Sequence, residues 1–328
     1  QYGSDAIAGV INFNLKENRE GISLVYDTGE YFEGDGAQNR IQGNIGLPLG
    51  DSGFVSISGD WFDPEFTERS IQYCESWWCN DTNSEFYNPD AGYNDWVLGR
   101  APAAGAEGAA ALTAQFPGGI PSASVEGSVV QPWGIPNRDG TSLFYNAGYD
   151  LDNGMELYSY GNYTESEGDG SFFYRYPGNG TIEDLRLQDG SVYSPLEKFP
   201  GGFTPRFVGE IEDYSFAAGL RGETAGGLTY DVSFRNGRNE IDYTLFNTIN
   251  PSMGPDSPTS FRPGALANEE TQYQADFSKD FDMGLFSPMT VAFGISYLDE
   301  TYEISASSDV DSYRAGPFSG ADPFGFCN

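Results

Sequence analysis

Residues 214–235 read Tyr-Ser-Phe-Ala-Ala-Gly-Leu-Arg-Gly-Glu-Thr-Ala-Gly-Gly-Leu-Thr-Tyr-Asp-Val-Ser-Phe-Arg, and their alternation decides the fold. In an extended chain Tyr214, Phe216, Ala218 and Leu220 share one face while Ser215, Ala217, Gly219 and Arg221 share the other. A turn from Glu223 to Gly227 follows. Leu228, Tyr230, Val232 and Phe234 then alternate with Thr229, Asp231, Ser233 and Arg235. Two period-two segments joined by a Gly-rich turn predict an antiparallel hairpin with one apolar and one wet face.

The same rhythm extends in both directions. Ile41, Gly43, Ile45 and Leu47 alternate with Gln42, Asn44 and Gly46. After the turn Asp51-Ser-Gly, Val55, Ile57 and Trp61 alternate with Ser56, Ser58 and Asp60. Further copies run over 143–149, 155–163, 273–279 and 291–297, with Asp152-Asn-Gly as a strong hairpin turn. About nine strands of nine to eleven residues are expected, the length that crosses a bilayer at a tilt. Short turns near 51, 153, 225 and 284 alternate with long polar connections at about 63–140, 165–210, 238–270 and 303–328. Compact soluble folds seldom need loops of that length, whereas transmembrane barrels carry short turns on one side and long loops on the other. Trp61, Phe62, Tyr145, Tyr149, Tyr163 and Tyr297 near strand ends suit an interfacial aromatic girdle. A β-sandwich is the competing architecture, since it too alternates and uses aromatics.

Composition narrows the function. The 328 residues carry 49 Asp and Glu against 16 Lys and Arg, a formal net charge of −33. That balance excludes a nucleic-acid partner, whose phosphates need cationic side chains. There is no histidine, so Ser-His-Asp and Cys-His nucleophiles and His-ligated metals are excluded. No apolar run approaches the 18 residues of a transmembrane helix. Cys74 and Cys79 bracket Glu-Ser-Trp-Trp, close enough for one local disulfide in an oxidising compartment, with two free thiols or an incomplete metal site as alternatives. Cys327 is left over, and its expected partner lies in sequence beyond residue 328. Gln1 opens no signal peptide although the other cues point to export, so an upstream segment is expected.

Residues 1–16, Gln-Tyr-Gly-Ser-Asp-Ala-Ile-Ala-Gly-Val-Ile-Asn-Phe-Asn-Leu-Lys, give a short turn followed by a strand. Ser4 or Asp5 can cap the turn and Gly9 can close it. The run resembles the end of the plug domain of TonB-dependent outer-membrane receptors, where a similar sequence precedes the first barrel strand; Tyr2, Gly3, Ser4, Asp5, Ala6 and Gly9 carry the likeness. Asn14 departs from it, standing where that family more often has an apolar residue. The resemblance implies an all-β, transmembrane antiparallel β-barrel of the 22-stranded family, of which this chain would hold only the plug end (residues 1–20) and about the first nine strands with their long extracellular loops (21–328). It also implies a bacterial outer-membrane location and a TonB-type energy transducer as partner. The lipid bilayer and lipopolysaccharide would surround the wall.

The expected activity is binding of a scarce solute and its import with TonB-supplied energy, without enzymatic chemistry and without a cofactor. Trp77, Trp78, Tyr87 and Trp96, set among Asp and Asn in the first long loop, are candidate ligand contacts through stacking on a sugar or peptide; a small core for the loop itself is the plainer reading of each. The acidic runs Glu165-Ser-Glu-Gly-Asp-Gly and Asp309-Val-Asp could present oxygens to Ca²⁺ but lack EF-hand spacing, and a solvated loop tip suits them better. Glu107 to Gln115 could form a short structural helix. An acidic loop set is a poor lure for anionic ferric siderophores, which favours neutral sugars, peptides or a cobalamin-like molecule. The competing functions are a secreted acidic β-protein acting on polysaccharide through paired carboxylates, and a passive porin.

Overall fold

The computed structural model describes residues 14–67, 69, 83–85, 133–151, 153–175, 198–199, 203–284 and 286–317. They form one nine-stranded antiparallel sheet in which every strand pairs with its neighbours in sequence. The strands are β1 (Ile22–Gly29), β2 (Gln38–Leu49), β3 (Gly53–Pro64), β4 (Asn137–Asp150), β5 (Met155–Ser171), β6 (Arg206–Glu223), β7 (Leu228–Phe246), β8 (Ser260–Phe281) and β9 (Met289–Ala306). The four short turns fall where the sequence places them. Gly50, Gly154, Gly227 and Gly284 each take a positive φ in them, the backbone region that a residue without Cβ enters most cheaply.

Strand length departs from expectation. From β5 to β9 the strands run 17 to 22 residues rather than nine to eleven. Apolar alternation ends where the side chains change character, but the backbone ladder continues upward from there. The connections at the far end are correspondingly shorter than the sequence suggests.

The sheet has no second layer among the described residues. One face carries the large apolar side chains, and it is exposed: Leu24 is 75% accessible, Phe293 62% and Ile295 71%. A soluble sandwich would bury that face. The buried apolar residues Tyr174, Phe203, Met253 and Phe261 lie instead beyond it, near the long connections.

The limits of the apolar band reveal its orientation. On this face the band ends at Trp61 on β3, at Tyr163 and Tyr214 on β5 and β6, and at Tyr273 and Tyr297 on β8 and β9. Followed strand by strand through the register, Tyr297 lies level with Val55, six residues below Trp61 on β3. The short turns descend equally. The first hairpin closes at Leu49 and Gly53, and the last closes at Phe281 and Met289, with Met289 six residues below Ile295, the residue level with Gly53. Six residues over six strand steps is about one per strand, which at a rise of about 3.3 Å and a spacing of about 4.8 Å is a tilt of about 35°. Eight residue steps from Trp61 to Gly53 then span a band about 22 Å high. Both values suit the lipid-facing wall of a transmembrane barrel, where strands tilt about 35–45° and the apolar band is about 25 Å tall. Phe62, expected in the girdle, pairs with Arg40 on the opposite face instead.

Beyond the band, two connections lock together. Asn250 caps a short 3-10 helix at Pro251–Asp256 and accepts a hydrogen bond from the Ser252 amide. Its Nδ2 donates across to the carbonyls of Asp311 (3.1 Å) and Arg314 (3.2 Å). Asp309 accepts from the backbone N–H of Arg262 at 2.8 Å and caps a second 3-10 turn at Val310–Ser312.

Candidate functional site

The face opposite the apolar band is polar, and the chain enters along it. Asn18 Nδ2 donates to Asn44 Oδ1 (3.0 Å), Asn44 Nδ2 donates to Ser56 Oγ (3.0 Å), and Ser56 Oγ donates back to Asn18 Oδ1 (2.7 Å), closing a ring of three hydrogen bonds. Asn146 Nδ2 donates to the Lys16 carbonyl at 3.0 Å, and Arg19 Nη2 reaches the carbonyls of Gly50 and Asp51. Asn44, Ser56 and Asn146 are buried in consequence, each with partners, as buried polar groups require. Gly46 makes this approach possible: a Cβ there would lie 2.3 Å from Asn18 Nδ2 and 2.5 Å from Asn18 O. The segment leading into β1 therefore lies against the polar face, which we call inward, at the short-turn end of β2–β4.

Alongside it, the inward face of β5–β9 is uncovered among the described residues. Glu156, Arg221, Asp231 and Asp276 stand level on four consecutive strands. Arg221 grips Glu156 through two 2.7 Å hydrogen bonds, and Tyr158 Oη donates to Asp231 Oδ1 at 2.7 Å. Glu156, Arg221, Asp231 and Asp276 line a cavity of about 750 Å³ reaching from Asp150 to Gly294. Four carboxylates, Asp150, Glu156, Asp231 and Asp276, against one committed guanidinium give it a negative field suited to a cationic group.

Above the band the two faces exchange character. Ile211, Ile241, Leu266 and Ile304 stand level on the inward face of β6–β9, and one level higher or more Phe207 stacks on Tyr243 with centroids 4.6 Å apart. The outward face at that height is acidic, with Glu165, Glu212 and Glu240 directly opposite one another and Glu167, Glu210 and Asp242 on the next level. Like charges in register repel; Arg238 relieves part of this by pairing with Glu240 and Glu269, and Arg262 by pairing with Asp242 at 3.6 Å. No group of three or more carboxylates or thiolates among the described residues is arranged to hold a metal ion.

The sequence-predicted sites fare unevenly. Tyr2, Gly3, Ser4, Asp5, Ala6 and Gly9, the Cys74 and Cys79 pair, and Trp77, Trp78, Tyr87 and Trp96 lie outside the described residues, as do Glu107 to Gln115 and Cys327. The run from Glu165 to Gly170 is not a loop tip. It continues β5, with Glu165, Glu167 and Asp169 on one face. Asp309 is a structural cap whose carboxyl is held below the ordinary carboxylate range, chiefly by the Arg262 amide. Burial pushes the hydroxyl of Tyr174 up. The inward aliphatic row is what sequence reasoning missed. Its signal is a change of parity, from apolar residues at even positions in 214–220 to Ile211 at an odd one.

No family model matches the chain, and no curated protein matches it. Among solved structures, the ferric enterobactin receptor of Pseudomonas aeruginosa in complex with enterobactin is similar over 93% of this chain and 35% of its own, with 12% identity and a TM-score of 0.49. The same receptor in complex with BCV-L6 covers 92% and 34%, at 11% identity and a TM-score of 0.49. The ferric-catecholate import receptor Fiu of E. coli K12, in its open form, covers 86% and 46%, at 11% identity and a TM-score of 0.31. The chain thus spans about a third of the length of the Pseudomonas receptor. At this level of likeness the wall's own geometry has to decide what the chain can do.

Proposed function

We propose that the chain is part of the wall of a bacterial outer-membrane receptor of the TonB-dependent type, with residues 1–20 ending a plug that enters the barrel from the periplasmic side. The observation that carries this is the pairing of an exposed, tilted apolar band on one face with a preceding segment hydrogen-bonded to the other. A wall with lipid outside and protein inside has that arrangement; a soluble enzyme has no use for it, and a passive porin has no plug. The short turns near Gly50, Gly154, Gly227 and Gly284 then face the periplasm, and the long connections face the medium. The solute is a small molecule met by the inward aliphatic and aromatic row, and uptake draws on a TonB-type transducer. Neutral sugars, peptides or a cobalamin-like molecule suit the chain's charge better than an anionic chelate. The test is fractionation of the native protein. Recovery in the outer-membrane fraction, release only by detergent and loss of solute uptake on deleting the transducer are expected. Recovery as a detergent-free soluble protein of about 36 kDa would overturn the reading.

A further inference from the structure

Where β3–β5 rise above the acidic levels, a second and smaller cavity opens, about 220 Å³, on a part of the wall to which the transport reading assigns no role. Four of its lining residues fall on the outward register, where Asn137 is level with Asp169 and Arg206 is level with Ser171, and the 66–67 and 133–136 segments supply most of the rest. Counting along β4, Asn137 lies six residues above Leu143, which is level with Tyr163 at the local edge of the apolar band. At about 3.4 Å per residue and a tilt of about 35°, that is about 17 Å beyond the lipid-facing band.

We propose that this cavity is a saccharide subsite on the outer wall. Its composition is that of a site for a neutral polyhydroxyl ring. Trp133, 57% accessible, packs edge-to-face with Phe173 with centroids 5.8 Å apart, and Trp133 and Phe66 both line the cavity. An aromatic face covers the C–H side of a sugar at little entropic cost. The polar groups are fixed in advance. Arg206 is ion-paired with Asp169 and lies over the Phe246 ring at 4.9 Å, so the pair offers donors and an acceptor in one place without a net charge. Asn137, also in the lining, has a side-chain carbonyl oxygen that is shielded from solvent and has no hydrogen-bond partner. Such a group gains from a hydroxyl donor. Because its cation is already held by Asp169, the cavity favours a neutral sugar over a phosphate. The sugar can come from the oligosaccharide of a neighbouring glycolipid, which the height suits, or from free saccharide in the medium.

Two arms separate these sources, both on the full-length receptor in detergent. In the first, saturation-transfer NMR is run with glucose, galactose, rhamnose, N-acetylglucosamine and maltose. In the second, lipopolysaccharide that co-purifies from smooth and deep-rough strains is quantified. Trp133→Ala and Asn137→Leu are the variants, with Phe32→Ala, a fully exposed site in another connection, as control. A saccharide signal weakened about tenfold in Trp133→Ala supports the subsite with a soluble ligand. Glycolipid that falls in the variants and in the deep-rough strain supports it with a lipid-borne one. No saccharide signal together with glycolipid unchanged by the variants, or glycolipid retention that depends only on its phosphates, overturns the proposal. Recovery in the outer membrane is unaffected by any of these outcomes, so the transport reading is tested apart from this one.

Discussion

Ile57 lies midway between the limits of the apolar band on β3, four residues from Gly53 and four from Trp61, and its side chain faces outward. With a tilt of about 35°, it is about 11 Å from either edge. Arginine at the midplane of a barrel wall costs about 2–4 kcal/mol and near the interface about 0–1 kcal/mol. Ile57→Arg is therefore expected to cost several times more than Trp61→Arg, although the two native side chains are equally accessible at 39%. Ser58 supplies the inward control. It sits next in sequence at almost the same depth and accepts one hydrogen bond from Asn44, so Ser58→Arg should cost about 1 kcal/mol, the worth of that bond. The assay is urea titration of the full-length protein refolded into lipid vesicles, followed by tryptophan fluorescence. Equal costs for Ile57→Arg and Trp61→Arg, or for Ile57→Arg and Ser58→Arg, would refute a lipid-facing band with these limits. The native sequence has already run one such comparison. Asp299 on β9 stands level with Ile57 through the register, and the tilt places it above the band.

Three further outcomes are expected. Gly46→Ala pushes a methyl group into Asn18 and should cost about 1–3 kcal/mol by overpacking, with faster proteolysis confined to residues 14–20. Asn250→Ala removes two of the bonds that join the 247–259 and 307–317 connections, leaving the Gly316 amide on Ser252 Oγ, and should cost about 1–3 kcal/mol locally, read as lost amide-exchange protection around Asp311 and Arg314 with the sheet unchanged. Asp309 has a folded pKa below its unfolded one, so its stabilisation is complete above the unfolded value of about 3.9 and disappears as pH falls through the folded one. Amide exchange at Arg262 should accelerate below about pH 4 in the native protein, whereas Asp309→Asn should lack that step.

The hairpins were legible because one physical rule governs both lipid and sequence. Where the wall meets hydrocarbon, every second side chain must be apolar, and 214–220 and 228–235 state this openly. Above the band the rule lapses. At Glu165 to Gly170 and at Asp299 to Ala306 water is available outside, the alternation breaks or changes face, and the backbone pairing that extends the strands leaves no trace in hydropathy. Phe62 was misplaced for a related reason, since an aromatic at a strand end fits the girdle or the inward wall and only register distinguishes them. The ring of Asn18, Asn44 and Ser56 was invisible because it joins residues up to 38 apart whose types are ordinary. Gly46 gave no warning either, because glycine alternates acceptably with the polar positions of β2.

The height of the band also bears on which membrane can hold the protein. A hydrophobic span of about 22 Å is several ångströms short of a typical hydrocarbon core of about 30 Å, and each ångström of mismatch costs a fraction of a kcal/mol. Strands cannot lengthen a fixed apolar band by tilting further, since tilt only lowers its height. A thick bilayer would have to thin around the whole perimeter. The bacterial outer membrane is thinner than average, so on the reading proposed above the distance from Trp61 to Gly53 matches the membrane proposed for the protein better than a thicker one.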